Sequence, residues 1–142
     1  MPLRHMSDLI RDQKPVTLPP NATVQDACQC MRKRRVGAVL VTKEPAGRLV
    51  GIFTGRDAVG RVLAQGRDPT TTKLSQVMTK NPDTMPPGKN ALEALRQMQD
   101  GGYRHIPIVE GNQLLGVVSR GDFRAMEKAR LDEETGLWER IW

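Results

Sequence analysis

Two stretches of the chain recur at nearly constant spacing. Thr17-Leu18-Pro19-Pro20 returns 67 positions on as Thr84-Met85-Pro86-Pro87, and Gly51-Ile52-Phe53-Thr54-Gly55-Arg56-Asp57 returns 65 positions on as Gly116-Val117-Val118-Ser119-Arg120-Gly121-Asp122. Two copies of one supersecondary unit are present, separated by a two-residue indel between those anchors. Duplication of this kind constrains the fold strongly, because a unit too small to bury its own apolar face must bury it against its copy. Any cleft formed between the copies is expected to occur twice.

At 142 residues the chain can bury roughly 70% of its unfolded surface as one compact domain, whereas half of it would be marginal alone. Each copy reads as strand, helix, strand, strand, helix, a mixed α/β (α+β) pattern with helices packed on a small sheet. Prolines in Pro15-Val16-Thr17-Leu18 and Pro82-Asp83-Thr84-Met85 favour extended chain over helix. Thr23 and Asn90, each three residues ahead of a carboxylate, Asp26 and Glu93, then favour helix starts. Helical stripes follow at Val24, Ala27, Cys28 and Met31, and at Ala91, Ala94, Leu95 and Met98. Strands are expected over Val36 to Thr42 with Leu49 to Thr54, and over His105 to Val109 with Leu114 to Ser119, before second helices from about Asp57 to Ala64 and Asp122 to Ala129. These readings place the first repeat at residues 1–66, a linker at 67–73, the second repeat at 74–129 and a helical tail at 130–142. The tail carries an apolar face of Leu137, Trp138, Ile141 and Trp142, suited to folding back on the chain or to packing on a second subunit.

The net charge of +6 favours anionic partners, whether a phosphorylated small molecule, nucleic acid or an acidic protein surface. No charged and then apolar leader opens the sequence, and the longest apolar run, Val36 to Val41, is too short for a bilayer, so a cytoplasmic protein without a membrane partner is expected. Cys28 and Cys30 point to nearly opposite sides of a helix, which excludes both a mutual disulfide and a shared metal. Cys28 aligns with Leu95 and is expected to act as a small buried apolar residue. The basic run Arg32-Lys33-Arg34-Arg35 closes the first helix, where cations complement the carbonyl end. Specific nucleic-acid recognition is not expected, since neither a DNA-reading motif nor aromatics interleaved with basic residues accompany the run.

Thr54 with Asp57, and Ser119 with Asp122, fall where a strand ends and a helix begins. An ionised carboxylate accepts hydrogen bonds only, and vicinal hydroxyls offer two donors, so either Asp could hold a ribose diol. Helix capping by the same Asp residues is the competing reading. Capping is expected to need the Asp but not the hydroxyl, so repetition of both favours a ligand. Tyr103 suits either strand packing or stacking on a base. His105 is a hydrogen-bonding residue or a group that titrates near neutrality.

The tandem copies, their terminal motifs and Tyr103-Arg104-His105-Ile106-Pro107-Ile108-Val109 resemble a pair of cystathionine-β-synthase-type (CBS) domains, the stand-alone Bateman module, from about Ser7 to Ala129. The resemblance implies copies packed about a pseudo-twofold axis, a homodimer, and two inter-repeat clefts that commonly bind adenosyl nucleotides. It implies one cleft containing Ile52, Thr54, Arg56 and Asp57, walled by Thr84, Lys89, Tyr103, Arg104 and His105. The other would contain Val117, Ser119, Arg120 and Asp122, walled by Thr17, Ala22, Val36, Gly37 and Ala38. Basic residues collect at the Asp57 cleft, which is therefore expected to prefer a phosphorylated nucleotide, with weaker binding or a less charged adenosyl group at Asp122. The expected function is non-enzymatic: a regulatory or signal-transduction module that senses AMP, ATP or a related ligand such as NAD or S-adenosylmethionine and passes the signal to a regulated protein. With His5 and His105 the only histidines and no nucleophile or metal constellation, neither catalytic residues, a catalytic cofactor nor a metal is expected. The alternative is a nucleic-acid-binding or protein-interaction module that uses the basic surface and the tryptophan tail.

Overall fold

A computed structural model of the chain describes residues 3–44 and 47–134. The elements follow in the order α1 (Met6–Leu9), β1 (Thr17–Leu18), α2 (Val24–Arg34), β2 (Ala38–Lys43), β3 (Arg48–Thr54), α3 (Gly55–Asp57), a π-helix (Ala58–Leu63), α4 (Leu74–Val77), β4 (Thr79–Lys80), α5 (Ala91–Gly101), β5 (His105–Glu110), β6 (Gln113–Ser119), a 3₁₀ turn (Arg120–Asp122) and α6 (Ala125–Glu134). The mixed α+β class expected of the sequence is present, and so is the duplication. Four residues separate β2 from β3 and two separate β5 from β6, so the two-residue indel lies in the hairpin turn. That is a place where added length disturbs neither strand.

The duplicated sequence reproduces backbone pairing residue by residue. In the first copy β1 runs parallel to β2 with Leu18 opposite Val41, and β2 pairs antiparallel with β3 from Ala38 opposite Thr54 onward. In the second, Met85 bridges Ile108 in parallel, and β5 neighbours β6. The Gly55 N–H donates to the Gly37 carbonyl at 3.3 Å, and the Arg120 N–H donates to the Arg104 carbonyl at 2.9 Å. Both long helices start as the sequence predicts. Thr23 and Asp26 form a reciprocal capping box, and the Asn90 side chain accepts the Glu93 N–H at 2.9 Å. Both also end in left-handed backbone, at Arg35 (φ 55°) and Gly102 (φ 72°).

The chain divides into two compact units that do not follow its linear order. One holds the segment ending at Gln13, Thr84–Glu110 and the chain from Leu115; the other holds Lys14–Asp83 with Gly111–Leu114. The short helix that precedes each copy therefore packs on the opposite copy. In the first unit the Met6 N–H donates to the Lys89 carbonyl, Ser7 to Pro87 and Ala91 to Arg4. In the second, Leu74 donates to Ala22, Ser75 to Pro20 and Val24 to Thr72. α1 and α4 are thus equivalent pieces at a spacing of 68, and residues 67–73 belong to the packed structure of the second unit.

Each unit has its own core. Met6, Leu92, Leu95, Met98, Ile106, Ile108, Val118 and Leu131 pack together in the first, and Val24, Val39, Val41, Phe53, Val62 and Leu74 in the second. The predicted stripe of α5 is buried in full, at Ala91, Ala94, Leu95 and Met98. That of α2 is buried at Val24 and Ala27 only. Cys28 and Met31 are half-buried beside the core, so Cys28 is less enclosed than its counterpart Leu95. The helices after the two motifs also depart from expectation: the first is a π-helix over Ala58–Leu63, whereas the second breaks at Phe123, whose buried ring and extended backbone separate the 3₁₀ turn from α6. Leu131 anchors α6, while Leu137, Trp138, Ile141 and Trp142 lie outside the described residues. Among the described residues no helix is long and apolar enough to cross a membrane.

Candidate functional site

The two strand-to-helix turns carry the acidic residues singled out in the sequence. At the first, Oδ2 of Asp57 accepts from the Thr54 N–H at 3.0 Å and from its hydroxyl at 3.2 Å, while the Thr54 hydroxyl accepts the Asp57 N–H at 3.4 Å. Oδ1 of Asp57 faces Nε of Arg61 at 3.5 Å. At the second turn, Oδ2 of Asp122 accepts the Ser119 N–H at 2.7 Å. No side chain donates to its Oδ1 among the described residues.

This geometry corrects one inference from the sequence. Thr54 is the N-cap and Asp57 the third helical residue of a reciprocal capping box, so capping uses hydroxyl and carboxylate together. Repetition of the pair is accounted for by the turn itself and carries no separate weight for a ligand. What separates the two Asp residues is exposure: the Asp57 side chain is 11% exposed, whereas Asp122 lies open on the surface.

Thr17, Ala22, Val36, Gly37, Ala38, Ile52, Thr54, Arg56 and Asp57 all lie in the unit built on Lys14–Asp83. Thr84, Lys89, Tyr103, Arg104, His105, Val117, Ser119, Arg120 and Asp122 lie in the other. The residues expected at each cleft are thus divided between the two units. In the first set Ile52 and Ala38 are buried on paired strands, while Thr17, Val36, Gly37 and Arg56 are exposed. Thr17 also opens onto a groove of about 430 Å³ lined by Leu18, Pro19, Pro20, Thr42, Lys43 and Glu44.

In the second set Lys89 is not a lone cation, because its ammonium sits 3.7 Å from Glu93. The Tyr103 ring folds against the end of α5 so closely that a Cβ on Gly101 would meet it, which gives the ring a packing role. Burial pushes the His105 imidazole below its ordinary range; the Asp122 carboxylate opposes this shift and Arg104 adds to it. Burial thus favours the neutral imidazole. Burial likewise pushes the Cys28 thiol up, which favours its protonated form.

Two supporting residues were not singled out in the sequence. Gln13 mimics a strand: its side-chain amide donates to the Val117 carbonyl at 2.8 Å and accepts the Val117 N–H at 2.7 Å. The first copy meets the same need with backbone, since Ile52 pairs with Thr79 of β4. Arg4 donates to the Asp122 carbonyl at 3.1 Å and grips Glu127 through Nε at 3.1 Å and Nη2 at 2.6 Å. A sequence signal existed for the segment that carries these residues, because Met6-Ser7-Asp8-Leu9-Ile10 matches the apolar pattern of Leu74-Ser75-Gln76-Val77-Met78.

Comparison with known proteins fits this architecture. The CBS domain family model matches twice, over residues 6–64 and 74–127. The chain is 38% identical over 106 residues to the CBS domain-containing protein YhcV of Bacillus subtilis, covering 75% of this chain and 74% of that protein. It is 42% identical over 109 residues to the CBS domain-containing protein CBSCBSPB3 of Arabidopsis thaliana; this covers 77% of the chain but 19% of the plant protein, so the chain spans about a fifth of the length of that relative. Among solved structures, the CBS domain protein PAE2072 from Pyrobaculum aerophilum complexed with AMP superposes with a TM-score of 0.79 at 28% identity, covering 91% of this chain and 98% of the other. With its doubled motif, doubled hydrogen-bond pattern and doubled family match, the chain belongs to the CBS domain family and carries two such domains in tandem.

Proposed function

We propose that this CBS pair is a non-enzymatic regulatory module that senses an adenosyl nucleotide, AMP or ATP foremost, through Asp57 and Asp122. The observation that carries the reading is the likeness, over nearly all of both chains, to a CBS protein complexed with AMP. The chemistry of Asp122 supports it: the carboxylate is exposed, one oxygen has no donor among the described residues, and a ribose diol supplies two. Ser119 and Val117 would flank the ribose and base there, with Thr17, Ala22 and Val36 to Ala38 opposite. At Asp57, Arg56 together with Lys89 and Arg104, which the family resemblance assigns there, would favour a phosphate-bearing ligand, with Ile52, Thr54, Thr84, Tyr103 and His105 completing the site. The module would act in the cytoplasm as a homodimer, and a partner protein would read the ligand-induced change, typically a coupling of about 1 to 3 kcal/mol.

Calorimetry with AMP tests the assignment. Asp57→Asn and Asp122→Asn keep an oxygen for the cap but remove the charge that strengthens a bond to ribose, so each should cost its own site about 1.5 to 3 kcal/mol, roughly 10- to 150-fold in affinity. Unchanged AMP binding in both folded variants would remove the ribose assignment. Thermal-shift scans widen the test. If AMP, ATP, NAD and S-adenosylmethionine all fail to stabilise the protein while oligonucleotides succeed, the nucleic-acid reading takes its place.

A further inference from the structure

We infer that Arg61 is a specificity-determining latch on the Asp57 site. Its guanidinium faces Oδ1 of Asp57 through Nε at 3.5 Å, while Nη1 donates to the backbone carbonyls of Val77 at 3.2 Å and Met78 at 3.0 Å. One side chain thus ties the candidate ribose carboxylate to the end of α4. Both Asp57 oxygens are engaged in this state, Oδ2 by Thr54 and Oδ1 by Arg61. A ribose diol at Asp57 therefore competes with the guanidinium for Oδ1.

The second copy lacks the device. Position 126, which corresponds to position 61, holds an exposed Met, and Oδ1 of Asp122 is open among the described residues. The two sites therefore make different demands. A neutral nucleoside brings two hydroxyl donors to Asp57 and strips Arg61 of its carboxylate without replacing it. An anionic adenosyl nucleotide brings a phosphate, a partner that an Arg fork accepts through two oxygens. Arg61 makes the Asp57 site discriminate against uncharged adenosyl ligands, whereas Asp122 accepts them, and occupancy of Asp57 loosens the tie to Val77 and Met78.

This inference rests on the nucleotide reading, and its test separates the two. Adenosine and AMP are titrated into wild type and Arg61→Met, each also carrying Asp122→Asn so that the Asp57 site is read, with amide hydrogen exchange followed on the same proteins. Arg61→Met should tighten adenosine about tenfold or more and narrow the AMP-to-adenosine ratio by at least that factor. Exchange at the amides of Met78 to Asn81 should rise several-fold without ligand, with the remainder of the protein unchanged. AMP binding with an unaltered ratio would overturn the latch and leave nucleotide sensing standing. Unaltered exchange at Met78 to Asn81 would overturn the tie to α4. If neither adenosine nor AMP binds any of these proteins, or the protein with Asp122 intact, the latch and the nucleotide reading fall together.

Discussion

The turn at Asp57 and the turn at Asp122 share a backbone but are braced from different directions. After Asp57 the bracing cation is Arg61, one helical turn along the same segment, and it reaches the carboxylate itself. Around Asp122 it is Arg4, from the far end of the chain, and it holds the main-chain carbonyl while its charge is spent on Glu127. One arrangement occupies the acidic side chain and the other leaves it open. A duplicated motif therefore fixes where a carboxylate stands, and unduplicated neighbours decide whether it is available.

The largest expected effect lies in that second bracing. Glu127 is 5% exposed and paired with Arg4, whereas the corresponding positions of the first copy, Val62 and Thr72, hold no charge and are buried. Removing one member of a buried pair strands the other, at about 3 to 5 kcal/mol, whereas replacing both with packed neutral groups is often close to neutral. Arg4 is a quarter exposed, so Glu127→Val should cost about 3 kcal/mol, the lower end of that range. The double variant Arg4→Thr with Glu127→Val, which writes the first copy's solution into the second, should recover to within about 1 kcal/mol of wild type. Urea unfolding measures both, and a double variant no better than the single would show that the copies are not interchangeable here. The pH profile adds a signature. Hydrogen bonding to Arg4 holds the Glu127 carboxyl below its ordinary range, against the opposing effect of burial. A carboxyl depressed in the folded state stabilises fully above its unfolded value and loses that contribution as pH falls through the folded one. The double variant should lack this part of the acid limb.

A smaller difference separates the glycines at the start of the two motifs. A Cβ on Gly116 would stand 2.7 Å from Oε1 of Gln13 and 2.8 Å from Cβ of Ile10, a branch point close to the backbone. A Cβ on Gly51 would meet the thioether end of Met78, which can swing aside. Overpacking against a rigid neighbour costs about 1 to 3 kcal/mol, so Gly116→Ala should fall in that range and Gly51→Ala below it. Thermal unfolding of the two variants compares them, and equal losses would contradict the distinction between Ile10 and Met78.

These contrasts also show what a sequence can disclose. The repeated strands, the α2 and α5 capping positions and the hairpin turns were legible because each depends on residues within a few positions of one another. Arg4 with Glu127, and Gln13 with Val117, join residues more than a hundred positions apart, and no local rule connects them. The exchange of α1 and α4 between units was hidden for a related reason: four-residue helices leave a pattern too short to stand out until their hydrogen bonds reveal the spacing of 68. At the candidate site, the positions of Asp57 and Asp122 could be read in advance. Their availability could not, since it depends on whether a guanidinium points at the carboxylate.

The smallest effect concerns the ends of α2 and α5, where the copies solve one backbone problem with different residues. Both helices close by donating the next N–H to a methionine carbonyl, Arg35 to Met31 and Gly102 to Met98, and both do so from left-handed backbone. Glycine adopts that conformation without a Cβ clash, whereas an ordinary residue pays roughly 1 to 2 kcal/mol. Against this, Arg35 contributes a cation at the carbonyl end of α2, worth about 0.3 to 1 kcal/mol, but Arg32, Lys33 and Arg34 already crowd the same turn. Losing the fourth charge should therefore cost less than the strain it relieves. Arg35→Gly is expected to stabilise the protein by about 1 kcal/mol, and Gly102→Arg to destabilise it by a similar amount. Denaturant midpoints measured at high salt isolate the backbone contribution, because screening removes most of what the surface cation supplies. If Arg35→Gly lowers the midpoint there as well, the Arg35 side chain must hold the helix end through packing rather than charge, and the two caps are alike in geometry only.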